Sequence, residues 1–303
     1  MFRSILYYPV YGLLYCFSLL PLRVLFLFSD AACFLLYRVF GYRKVVVMDN
    51  LRSAFKQKSE KELLRIAGDF YRNFTDNFIE TLKLLSANGK FIRKHFVVEN
   101  PEVYEQFFSQ DKRCQVYLGH VFNWELASVA VPFYTKYPVL VVYMPVKNYL
   151  FDRLLQGLRS RTGAILLPAT DMRRAMLPYR DMRYMMALVA DQSPGNPANA
   201  YWLNLFGRPT PLIRGPERGA RAGDIPVAFA EIFKVKRGYY RARIALGAEK
   251  PSELPEGELT RRYVSFLEES IGRNPSMWLW SHRRWKHGWK EEYKKLWIGA
   301  EVQ

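Results

Sequence analysis

The sequence predicts an α/β fold: a largely parallel central sheet flanked by helices, preceded by an N-terminal hydrophobic helical anchor. Two patterns predict it. From about residue 115, short β-rich runs alternate with helical ones, as in strands joined through helices into a parallel sheet. Ahead of them, residues 5–28 are almost wholly apolar and a second apolar stretch covers 31–40. Length and composition agree: 303 residues, 50% hydrophobic and 16% aromatic, supply a sizeable core in one large or two modest domains and exclude extensive disorder.

The first apolar stretch reaches the roughly 20 residues of a spanning helix, but Pro9, Gly12, Pro21 and Arg23 interrupt it. It reads as a membrane anchor over 1–44, either one span or a pair of helices lying in the interface. A buried core hairpin is the alternative. A cleaved signal peptide fits less well, because the apolar part is long and no small-residue cleavage pattern follows. Arg38, Arg43 and Lys44 come next and place the body on the cytoplasmic side if the segment spans. The remaining domain, 45–303, divides into a helical lead-in (45–110), an α/β core (111–272) and a basic, tryptophan-rich C-terminal segment (273–303).

In the lead-in, Ser59-Glu60-Lys61-Glu62 has the form of a capping box. Behind it Leu63, Ile66, Ala67, Phe70, Phe74, Phe78 and Leu82 recur at helical spacing, which predicts a core-packing helix over 59–85. In the core, strands are expected at 115–118, 139–143, 164–167, 184–190, 225–232 and 239–246. Helices are expected from Asn123, at 151–161, 172–179, within 211–222 and at 258–271. Residues 193–199, with two prolines, a glycine and two asparagines, form the most irregular loop. No internal repeat or low-complexity segment is present.

The chemistry-bearing run is Gly119-His120-Val121-Phe122-Asn123-Trp124-Glu125. On one regular helix, His120 and Glu125 would lie about 140° apart, so the spacing makes sense only with His120 before the helix. Asn123 then serves as N-cap and Glu125 falls in the first turn, where a carboxylate is favoured. A histidine where a strand meets a helix can act as a base on a hydroxyl, and a nearby carboxylate would fix its tautomer. Glu125 is one candidate for that carboxylate. Asp191, ending another strand at the edge where parallel sheets place their sites, is a second. Alone, His-x4-Glu is a frequent chance pattern, and Glu125 could simply complement the helix dipole.

Other chemistries lack their residues. There is no Gly-x-Ser-x-Gly elbow, no His-Glu-x-x-His and no P-loop. His95, His120, His282 and His287 give no metal-ligand spacing, and Cys16, Cys33 and Cys114 form no CxxC pair or disulfide framework. The formal net charge of +17 attracts anionic partners. Three groups carry it: Arg173, Arg174, Arg180 and Arg183; Arg208, Arg214, Arg218 and Arg221; and Arg283, Arg284, Lys286, Lys290, Lys294 and Lys295. The last group is interleaved with Trp278, Trp280, Trp285, Trp289 and Trp297, a pattern that favours a membrane interface. Basic patches with aromatics also suit single-stranded nucleic acid. The apolar N-terminus and the lack of a nucleic-acid module speak against that partner. A non-catalytic membrane scaffold is the third class of reading.

Further blocks accompany His120. They are Tyr143-Met144-Pro145 with Asn148, Phe151-Asp152 and Arg159-Ser160-Arg161; Ala190-Asp191-Gln192 with Phe206-Gly207; and Pro275-Ser276-Met277-Trp278-Leu279-Trp280-Ser281-His282-Arg283-Arg284-Trp285-Lys286. In order and over nearly the whole chain, these blocks resemble the lipid A biosynthesis lauroyl/myristoyl acyltransferases, a branch of the His-x4-Asp/Glu acyltransferases. The C-terminal block is the most specific part. One departure is Met144, where the family often has arginine; any contact that arginine makes is absent here or falls to Lys147 or Arg159.

The resemblance implies a glycerolipid-acyltransferase-like fold. It also implies transfer of a fatty acyl chain from acyl carrier protein, or another acyl thioester, to a hydroxyl of a lipid A precursor. A lysophospholipid, an aminolipid or another glycolipid is the alternative acceptor. The setting would be the cytoplasmic leaflet of the inner membrane. A thioester is already activated, so no metal or other cofactor is needed; a base and an oxyanion stabiliser are. His120 is the expected base. Glu125 would orient it or help hold the acceptor, Arg159 would stabilise the oxyanion or a phosphate, and Asp191 would pair with His120 or an arginine. Asn123, Lys147, Arg161, Gln192, Arg283, Arg284 and Lys286 are the expected substrate contacts.

Overall fold

The computed structural model describes residues 2–299. Residue 1 of the expected anchor and residues 300–303 of the C-terminal segment lie outside the described residues. The chain is α/β, with a seven-stranded sheet flanked by helices. In chain order its strands are β1 (Phe96–Val98), β2 (Cys114–Leu118), β3 (Val139–Tyr143), β4 (Ile165–Pro168), β5 (Met185–Val189), β8 (Val227–Lys236) and β9 (Tyr239–Ala248). A separate hairpin comprises β6 (Ala200–Leu205) and β7 (Arg208–Ile213). The helices are α1 (Phe2–Ser18), α2 (Leu22–Phe34), α3 (Lys44–Ala54), α4 (Glu60–Lys83), α5 (Gly89–His95), α6 (Glu102–Ser109), α7 (Trp124–Ala130), α8 (Tyr149–Ser160), α9 (Met172–Ala175), α10 (Gly215–Ala222) and α11 (Glu258–Arg273).

Spatial order in the main sheet is β1-β9-β8-β2-β5-β3-β4. β8, β2, β5, β3 and β4 pair in parallel, and β9 turns back antiparallel on β8. The parallel strands therefore all end at one edge. That edge carries the residues after β2, β3, β4, β5 and β8.

The expected capping box forms at the start of α4. The Ser59 hydroxyl accepts the Glu62 N–H, while the Glu62 carboxylate accepts the Ser59 N–H at 2.8 Å. The hairpin β6–β7 falls where irregular structure and the approach to a helix are expected. It turns through Phe206 and Gly207, both with positive φ (52° and 71°), as a two-residue turn between twisted strands requires.

The N-terminal apolar stretch does not make one straight helix. α1 and α2 meet at a 110° bend, and among the described residues no single helix is long and apolar enough to cross a membrane. Pro21, at the start of α2, supplies no N–H to continue α1. The pair is not a buried hairpin either. Leu25 and Phe26 pack inward, while Leu13, Leu19, Leu27, Phe28 and Phe34 remain exposed.

Polar contacts pin the inner face of this elbow to α4. The Ser29 hydroxyl donates to the buried Asp76 carboxylate at 2.6 Å. Arg237, in the turn between β8 and β9, ion-pairs with both Asp76 and Asp30. Lys83 donates to the carbonyls of Ser18 and Leu20, closing the end of α1. Because Asp76 is fully buried and Arg237 only partly so, Asp76→Ala is expected to cost about 3 kcal/mol. Thermal denaturation of the full chain, with limited proteolysis of the elbow, measures that loss.

Candidate active site

The site is built at the edge where the parallel strands end. β2 stops at Leu118 and β5, its hydrogen-bonded neighbour, at Val189, so the residues that follow them emerge side by side. Gly119 permits the close approach. A Cβ there would lie 2.7 Å from Leu267 on α11 and 3.5 Å from the Asp191 carboxylate.

His120 and Asp191 meet through two bonds. The His120 backbone N–H donates to Asp191 Oδ2 at 3.0 Å, and the ring Nδ1 lies 2.5 Å from Oδ1. Asp191 is therefore the carboxylate beside the imidazole, the second of the two candidates in the sequence. It is buried, and Trp278 Nε1–H donates to its Oδ2 at 2.7 Å. Arg284 closes the group: its guanidinium ion-pairs with Oδ2 at 3.0 Å, donates to the Asp191 carbonyl and packs 4.3 Å from the Trp278 ring centroid. Burial alone would raise the Asp191 pKa. The Arg284 charge and then the bonds from His120 outweigh it and hold the carboxyl well below the usual carboxylate range. His282, half-buried, is pushed down to about 4 by burial and by the charges of Arg284 and His120.

Glu125 has a different partner. Asn123 caps α7, accepting the Leu126 N–H at 3.0 Å, which sets Glu125 in the first turn. There its carboxylate takes a two-pronged bond from Arg159, Nε at 2.7 Å and Nη2 at 2.5 Å. Burial works against the Arg159 charge, and Glu125 more than restores it. His120, with Asp191 behind it, and the Glu125–Arg159 pair border a cavity of about 360 Å³. Gln192 and Met144 also line it. Its deeper walls are apolar and come from the sheet: Val116, Val141, Ala187, Ala230, Ile232 and Ile244. A recess of this size, apolar with a few polar groups at one end, has the form of a small-molecule site.

The C-terminal block clamps the segment that carries His120. Leu279 N–H donates to the His120 carbonyl at 2.9 Å, Phe122 N–H to the Met277 carbonyl at 2.9 Å, and Val121 bridges Trp278. The sequence points these tryptophans at a membrane interface; the structure corrects this. Trp278 and Trp280 are fully buried, and Trp285 donates to Thr210. The remaining candidates are placed apart. Arg284 lies behind Asp191, outside the cavity lining. Arg161 donates to the Leu84 carbonyl. Lys147, Arg283 and Lys286 are exposed and do not line the cavity.

Residues 1–287 match the family described as bacterial lipid A biosynthesis acyltransferase. The chain belongs to this family. It is thus an acyltransferase of lipid A biosynthesis, with an acyl donor and a lipid acceptor as its substrates. Among curated proteins, none matches the sequence significantly.

One residue of this acyltransferase's site escapes a reading by motif. Glu80, on the helix expected only to pack the core, is buried beneath α7. Its Oε2 accepts from Asn123 Nδ2 at 2.8 Å and from the Tyr240 hydroxyl at 2.7 Å. A signal was present: Asn73, Asp76 or Asn77, and Glu80 recur at helical spacing beside the apolar stripe, and all four are buried. Burial pushes the Glu80 carboxyl up to about 7 despite those two donors. The native state then binds this proton more tightly than the unfolded chain, whose value is near 4.5. Stability is full below that value and falls as pH rises through about 7. The loss attributable to Glu80 is on the order of 3 kcal/mol. Glu80→Gln, which keeps an oxygen for Asn123, is expected to flatten that decline. Urea unfolding at about pH 5 and about pH 8.5 measures it.

Proposed function

We propose that the protein moves a fatty acyl chain from acyl carrier protein to a hydroxyl of a lipid A precursor, with His120 as general base. The observation that carries this reading is a histidine held by a buried, ionised aspartate at the polar end of an apolar cavity. With Nδ1–H directed at Asp191, the other ring nitrogen, Nε2, is left to accept a proton from the acceptor hydroxyl. The resulting oxygen attacks the thioester carbonyl and a tetrahedral oxyanion forms. Arg159 spends two of its five donors on Glu125 and keeps the others for that oxyanion or for an acceptor phosphate. Collapse breaks the carbon–sulfur bond, and the imidazolium returns its proton to the departing thiolate. The apolar walls receive the acyl chain.

The net charge of +17 supports an acidic carrier protein as donor and an anionic leaflet as the working surface. The bent, outwardly apolar N-terminal pair supports attachment in the interface at the cytoplasmic face of the inner membrane, in preference to a single span. Met144 at the cavity favours a second acceptor class, because an apolar side chain replaces an arginine suited to phosphate. A lysophospholipid, an aminolipid or another glycolipid would then be acylated.

Two results are expected. His120→Ala abolishes acyl transfer while circular dichroism and the unfolding midpoint stay close to those of the unchanged protein. Asp191→Asn, which misdirects the imidazole proton, lowers turnover by about 10³–10⁴-fold. The assay supplies acyl carrier protein loaded with fatty acids to membranes and reads the products by mass spectrometry. Full activity in the His120→Ala variant removes His120 from its role. An unchanged lipid A fraction with a newly acylated phospholipid selects the second acceptor class.

A further inference from the structure

The edge of the sheet that carries the site also carries two apolar, cationic projections. The first is the α1–α2 elbow. It attaches where β8 ends: Arg237 ion-pairs with Asp30, and its guanidinium lies 4.2 Å from the Phe26 ring centroid. The second follows β3, which runs parallel to β8 through β5 and β2 and so ends at the same edge. It is the segment 144–151. Met144, Val146 and Phe151 are 57%, 40% and 58% exposed. Its backbone is held in place: Asn148 accepts the N–H groups of Leu150 and Phe151, and Val146 N–H donates to Asp152.

Exposed cations are carried at the same edge. Lys147 lies within the segment, and Arg173 and Arg174 follow β4, the neighbouring strand. The two projections are also joined. Arg153 on α8 stacks over the rings of Tyr7 and Tyr8 on α1, at 4.2 and 5.6 Å. The cavity lies beside the second projection, since Tyr143 and Met144 line it. Exposed apolar groups that share an edge with lysine and arginine match the acyl–headgroup boundary of an anionic bilayer.

We infer that the segment 144–151 is a second membrane contact, rigidly coupled to the elbow. The cavity mouth then opens onto the leaflet, and an acceptor lipid reaches His120 without leaving the bilayer. This rests on the interfacial reading of the elbow.

The test uses the full chain with Cys16 and Cys33 replaced by serine. Environment-sensitive fluorophores are attached through Leu27→Cys in the elbow, Phe151→Cys in the second projection, or Asp181→Cys near the opposite end of the sheet. Each is mixed with phosphatidylglycerol vesicles carrying spin-labelled lipid. Labels at 27 and 151 are expected to shift to the blue and be quenched, and the label at 181 to do neither. Quenching at 27 without 151 overturns the second contact and leaves the elbow reading intact; quenching at neither overturns both. Quenching at all three, 181 included, also overturns it, because the contact is then not specific to this edge. In unlabelled protein, Val146→Ser combined with Phe151→Ser is expected to weaken vesicle binding at least about tenfold. Unchanged affinity in that variant likewise refutes the contact.

Discussion

The buried carboxylate of Asp191 is the interaction on which the site depends. It accepts the ring and backbone of His120 and the indole of Trp278, and it faces the charge of Arg284. Those partners come from the end of β2 and from the C-terminal block, while Asp191 itself follows β5. A charge removed from water at this depth is tolerable only when donors surround it. The parts of the chain that supply them are therefore held in register by electrostatics as much as by packing. Arg284 illustrates the division of labour: it faces the aspartate, and its guanidinium covers the Trp278 ring, leaving His120 as the member of the group that borders the cavity.

α4 does comparable work on the other side. Within about two turns it fixes the elbow through Asp76 and Lys83 and supports the cap of α7 through Glu80. α7 presents Glu125, which in turn holds Arg159 on α8, and α8 touches α1 through Arg153. Elbow, α4, α7 and α8 thus form a closed circuit of polar contacts around one end of the cavity.

Much of this was legible in residue order. The alternation of strands and helices, the capping box at Ser59, the cap at Asn123 and the placement of His120 before α7 follow from local rules, and the structure agrees with them. What local rules could not supply is pairing across the chain. Glu125 and Asp191 are equally plausible partners for His120 by type. Only the adjacency of β2 and β5, which is a property of strand order, separates them. The hairpin β6–β7 was hidden because Phe206 occupies a left-handed turn position usually given to glycine or asparagine. The tryptophans of the C-terminal block misled for a related reason. Their basic neighbours are exposed or paired, but the indoles point inward, and composition carries no direction.

The cavity walls tie the chemistry to the packing of the sheet. Much of the apolar lining consists of strand side chains such as Val116, Ala187 and Ala230, which belong to the sheet itself. In the reading proposed for this protein, altering the length of the acyl chain means editing the same residues that hold neighbouring strands together. Each methylene of extra room is then also a packing defect. In the same reading, acceptor choice can change through the exposed segment after β3 at little cost to folding. In that reading, the length of the transferred tail changes only as far as the core can be rebuilt around it.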